Sequence, residues 1–135
     1  MILRGVGTRI LVRDFQKCFD FYTQIIGFKV IWGDRQGPYV SFSEADKEEV
    51  AFSIYLYDGM DKYSDYIPLS GDGSSDKIVL CMGAESVDEI YKELKAKGVE
   101  FMGEPRDIPY WGMRCVYFRD PEDNLVEIAG KMLNK

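Results

Sequence analysis

The sequence predicts an α+β fold in which two βαβββ modules pair as curved sheets around a concave cleft. Three observations predict it: short runs of alternating, β-branched residues; two amphipathic stretches, each stopped by a glycine; and the return of the same order of elements after a polar interval. With 135 residues, 46% of them hydrophobic and including eight Phe, nine Tyr and two Trp, the chain can bury the core of one domain. Module 1 covers residues 1–60, a linker 61–75, and module 2 residues 76–132.

Residues 4–12 alternate and read as the first strand. Asp14 then supplies an N-cap, and Phe15, Cys18, Phe19, Tyr22, Ile25 and Ile26 form the apolar stripe of a helix that ends at Gly27. Residues 28–32, 39–43 and 50–57 follow as strands, separated by the turn-rich GDRQGP and the charged EADKEE. After an interval rich in Asp, Gly, Ser and Tyr the order restarts. A strand at 77–82 leads to a helix capped by Ser86, carrying Val87, Ile90 and Leu94 and closing at Lys97-Gly98. Residues 99–102, 113–119 and 125–129 are the remaining strands, with a long loop over 103–112. Such a repeat is architectural, because each module exposes an apolar sheet face that its twin completes.

Charge and special residues exclude several functions. Seventeen Lys and Arg against 23 Asp and Glu leave a formal charge of −6, which argues against nucleic acid as a partner. Basic residues interrupt the short apolar runs of MILRGVGTRILVRDF, unlike a signal peptide or membrane helix, so a cytoplasmic location and no membrane partner are expected. Cys18, Cys81 and Cys115 are odd in number and far apart, which suits free thiols rather than a disulfide framework. The chain has no histidine, which removes Ser-His-Asp and Cys-His catalysis. The GVG at 5–7 precedes a strand rather than a helix and is not a nucleotide-binding turn.

The segments VRDFQKCFDFYTQIIGFKV, YKELKAKGVEF and EPRDIPYWGMRCVYFRDPEDNLVEI resemble the vicinal oxygen chelate superfamily, which includes glyoxalase I, extradiol dioxygenases, fosfomycin-resistance transferases and bleomycin-resistance proteins. The resemblance spans nearly the whole chain. It implies a half-open barrel from each module, a site inside, and a homodimer. It also implies four metal-ligand positions, on the first and last strand of each module. These fall on Gly7, on Ser53 or Ile54, on Lys77 and on Glu127, and of these Glu127 alone carries a usual ligand. A protonated lysine cannot coordinate, and one carboxylate does not hold a transition metal, so neither metal nor other cofactor is expected.

On the same alignment Lys77 and Glu127 form an internal ion pair, with Arg9 facing the same cleft and free to bind an anionic group. Tyr110 and Trp111, in the loop before the seventh strand, suit stacking on a flat ligand, and Tyr55 suits a cleft wall. The expected ligand-binding set is therefore Arg9, Tyr55, Lys77, Tyr110, Trp111 and Glu127, with Glu127 and Lys77 the candidates for any proton chemistry. The leading expectation is a metal-free, bleomycin-resistance-like protein that binds a small molecule. The alternatives are a metal-independent lyase or isomerase, and a degenerate dimerisation module.

Overall fold

In the computed structural model, which describes residues 1–69 and 76–134, the first module runs β1 (Arg4–Val12), α1 (Phe15–Asp20), β2 (Lys29–Gly33), β3 (Tyr39–Ser43) and β4 (Phe52–Leu56). A short helix α2 (Asp58–Tyr63) leads out of it. The second module comprises β5 (Ile78–Gly83), α3 (Val87–Ala96), β6 (Arg106–Ile108), β7 (Met113–Arg119) and β8 (Leu125–Gly130). One curved eight-stranded sheet results, in the order β2-β3-β4-β1-β5-β8-β7-β6. The modules meet where β1 runs antiparallel to β5, and within each module the first strand lies parallel to the last.

Strand alternation divides the apolar residues between two faces. Val12, Val40, Phe42 and Ile54 pack with Phe15 of α1, while Val116 and Ile128 pack with Val87 and Ile90 of α3. The opposite face carries Leu11, Tyr55, Val79, Cys115, Tyr117 and Leu125, closed at one end by Tyr57, Met60 and Tyr66. Both long helices start as expected: Asp14 accepts from the Lys17 N–H at 3.1 Å, and Ser86 from the Glu89 N–H at 3.2 Å. After Asp20 the first helix widens, with the Ile26 N–H reaching back five residues to the Phe21 carbonyl before Gly27 stops it at φ +92°.

Two elements differ from expectation. The boundary between module 1 and the linker holds α2, whose turn-forming Asp58 and Gly59 mask a helix anchored by fully buried Met60; residues 70–75 of the linker lie outside the described residues. The sixth strand is 106–108, not 99–102, where Phe101 makes a single bridge to Phe118. A tight turn, Trp111 N–H to Ile108 carbonyl and Gly112 N–H to Pro109 carbonyl, folds β6 back on β7 and draws the pairing toward itself. No helix among the described residues is long and apolar enough to cross a membrane. Cys18, Cys81 and Cys115 are free thiols.

Candidate functional site

The register of the two modules decides which side chains meet inside the sheet. Counting five residues back from the caps Asp14 and Ser86 lands on Arg9 in β1 and Cys81 in β5, strands that lie side by side. Cys81 is in register with Glu127 of β8, and Tyr117 of β7 is opposite Glu127 on its other flank. Arg9, Cys81, Tyr117 and Glu127 therefore converge on one point of the concave face.

Glu127 is fully buried there, its side chain 1% accessible. The Arg9 guanidinium donates from Nη1 to Oε2 at 3.0 Å and from Nη2 to Oε1 at 3.2 Å, and the Tyr117 hydroxyl donates to Oε2 as well. Burial pushes the Glu127 carboxyl up, but the Arg9 charge and the hydrogen bonds from Arg9, Tyr117 and Cys81 outweigh it and hold the pKa below the ordinary value. Burial likewise pushes the Cys81 thiol up to about 12, assisted by the charge of Glu127. The Tyr117 hydroxyl is raised well above its usual range by burial and then by Glu127. Glu127 is thus held as a carboxylate with both oxygens engaged.

The expected pairing of Lys77 with Glu127 does not form. Lys77 is exposed and precedes β5, its carbonyl accepting from the Leu11 N–H at 2.7 Å. Four residues separate it from Cys81, roughly 13 Å along an extended chain, so its ammonium begins far from Glu127. Arg9 takes its place. Gly7 sits across from Cys81 on the neighbouring strand. Ser53 shares the concave face with Tyr55 and lies beside Arg9, whereas Ile54 points into the core under α1.

A cavity of about 690 Å³ opens above this pair, lined by Arg9, Tyr55, Tyr110 and Trp111 from the expected set. Trp32, Tyr39, Pro38, Asp34 and Met113 complete most of its wall. The Trp111 indole N–H donates to the Tyr55 hydroxyl at 2.7 Å, which locks two walls together. Tyr110 stacks face to face on Tyr63, centroids 4.1 Å apart and planes 2° from parallel, so one of its faces is already covered. Trp32 leans against Tyr39 and is 65% exposed. Trp32 and Tyr39 escaped the sequence reading because only tertiary closure brings β2 and β3 over β1. The spacing from the helix caps was the available signal for Cys81, and the alternation of β7 for Tyr117.

The donor set does not suit a resident divalent metal. The lone pairs of Glu127 go to N–H and O–H donors, and a guanidinium stands where a cation would have to sit. Among the described residues no three His, Cys, Asp or Glu side chains converge.

A sheet of two βαβββ halves enclosing a cleft defines a class of protein in which the fold is shared and the cleft side chains vary. Residues 6–128 match the Glyoxalase/Bleomycin resistance protein/Dioxygenase superfamily, and the chain belongs to it. The uncharacterized protein YraH of Bacillus subtilis (strain 168) is 34% identical over 132 residues, covering 93% of this chain and 95% of its own. Two solved structures share the fold at low identity. A protein from Legionella pneumophila described as an NAD-dependent benzaldehyde dehydrogenase superposes with TM-score 0.71 at 14% identity, covering 95% of this chain and 100% of its own. A glyoxalase/bleomycin resistance protein/dioxygenase superfamily member from Vibrio splendidus 12B01 superposes with TM-score 0.60 at 12% identity, covering 96% and 100%.

Proposed function

We propose that this chain is a binding protein that holds a small planar molecule between the aromatic walls of its cleft and needs no metal to do so. The cavity of about 690 Å³ above the Arg9–Glu127 pair carries this reading, because its size is that of a small-molecule site and its walls are largely aromatic. Flat ligands gain from offset or edge contacts with such rings. Arg9 in effect replaces a cation: it neutralises Glu127 from inside the protein.

Proton abstraction, the core of the lyase or isomerase alternative, is poorly served. A carboxylate with a lowered pKa and both oxygens engaged is a weak base, and Lys77 is outside the cleft. The test is a titration of intrinsic tryptophan fluorescence with naphthalene and fluorene, repeated after dialysis against EDTA. Saturable binding that EDTA leaves unchanged is expected, and Trp32→Ala should weaken it about two- to ten-fold. Loss of binding after EDTA, restored by a divalent ion, would refute metal independence. Absence of saturable binding would refute the aromatic cleft as a ligand site.

A further inference from the structure

Resting on that reading, the floor of the cleft narrows the chemistry of what it binds. Arg9 has five N–H bonds, and its hydrogen bonds to Glu127 use two of them. Its Nε–H is buried and meets no acceptor among the described residues, an arrangement rare in folded proteins. Arg9 also lines the cavity, where 11% of its side chain stays accessible, and its guanidinium carbon lies 6.0 Å from the ring centroids of both Tyr39 and Tyr55. Arg9 thus meets the cavity between two aromatic rings with one N–H on each of Nη1 and Nη2 not used by Glu127, beside the buried Nε–H.

The charge balance sharpens this. Glu127 already neutralises Arg9, so the floor attracts an acceptor atom without favouring a full negative charge. Asp34 is the other formally charged residue of the described lining, and the chain as a whole carries −6, both of which oppose an anion. Asp34 is no strong anchor for a cation either, because it is exposed and its carboxylate already accepts from the Gln36 N–H at 2.9 Å. We infer that the ligand of this cleft is a neutral planar aromatic compound bearing a carbonyl, or an equivalent neutral acceptor, on the edge that reaches Arg9.

Fluorene and 9-fluorenone test this, because they share one flat tricyclic shape and differ by a CH₂ against a C=O. Calorimetric titration of the whole chain is expected to give fluorenone an advantage over fluorene of about five- to ten-fold, the worth of one net hydrogen bond. Fluorene-2-carboxylate is expected to bind more weakly than fluorenone. The infrared carbonyl stretch of bound fluorenone should fall below its value in hexane, a readout that needs no variant. In Arg9→Met/Glu127→Gln, which leaves no unmatched charge and keeps an acceptor for Tyr117, the preference of fluorenone over fluorene should drop to within about two-fold. Equal binding of fluorene and fluorenone, an unshifted carbonyl, or tightest binding of the carboxylate would overturn this inference and leave the aromatic cleft intact. Failure of fluorene and fluorenone alike would overturn the cleft reading, and this inference with it.

Discussion

Removing one member of the Arg9–Glu127 pair strands the other as an unmatched, largely buried charge at the floor of the cleft. Glu127→Ala or Arg9→Met alone should therefore lower stability by about 3–5 kcal/mol, the usual cost of an uncompensated buried charge. The joint Arg9→Met/Glu127→Gln variant should lose less than the sum of the two, because neither charge remains. Urea denaturation of the three variants checks this; simple additivity would mean that the pair is not coupled. Glu127 was legible in the sequence because the turn at Asp120–Asn124, held by Asp120 and by Asp123 at φ +65°, fixes where the last strand begins. Its partner was not. Counting seven residues back from Asp14 selects Gly7, and the opening of the second module's first strand selects Lys77, whereas Arg9 and Cys81 each lie five residues before a helix cap. In a strand only a shift by an even number of residues, here the four between Lys77 and Cys81, preserves the face while changing the neighbour, which is why the sequence points to the right cleft and the wrong partner for Glu127.

At the level of elements, α2 is a spacer for the cleft wall. A Cβ on Gly59 would collide with the Tyr55 hydroxyl and its ring carbons, and that hydroxyl holds the Trp111 indole. Gly59→Ala should therefore destabilise by about 1–3 kcal/mol through overpacking, despite the better helix propensity of alanine. In a Tyr55→Leu background the colliding atoms are absent, and the same substitution should be neutral or slightly stabilising. Thermal denaturation of the four corners of this cycle measures the coupling. A Gly59→Ala cost of the same size in the Tyr55→Leu background would show that Gly59 acts independently of the Tyr55 ring. The sequence concealed α2 for the same reason that Gly59 is there: a glycine and an aspartate at its start are turn residues, and the helix exists to receive a ring from β4. Elements whose own pattern sufficed, such as β1, β3 and β7, were placed at their observed bounds.

Across the whole molecule, buried carboxylates tie distant segments to basic partners. Glu127 joins β8 to β1 through Arg9, and Asp76 joins the entry to β5 with β7 through Arg119, whose Nη1 and Nη2 lie 2.9 and 2.8 Å from its carboxylate oxygens. Burial raises the Asp76 carboxyl, but Arg119 and the Tyr66 hydroxyl outweigh it, so it too is held below the ordinary value. For a group whose folded pKa is depressed, the stabilisation is complete above the unfolded pKa and is lost as pH falls through the folded one. With unfolded values of about 3.9 for Asp and 4.3 for Glu, stability should hold from pH 7 to about 5 and decline steeply below about 4. Urea midpoints at pH 7, 5, 4 and 3.5 read this directly. Arg9→Met/Glu127→Gln removes one of the two groups, so its midpoint should fall less between pH 7 and 3.5 than that of the parent chain, with the Asp76 contribution still present. The same fall in both proteins would show that Glu127 is not depressed in the folded state, and that the floor of the cleft is not the neutralised pair described above.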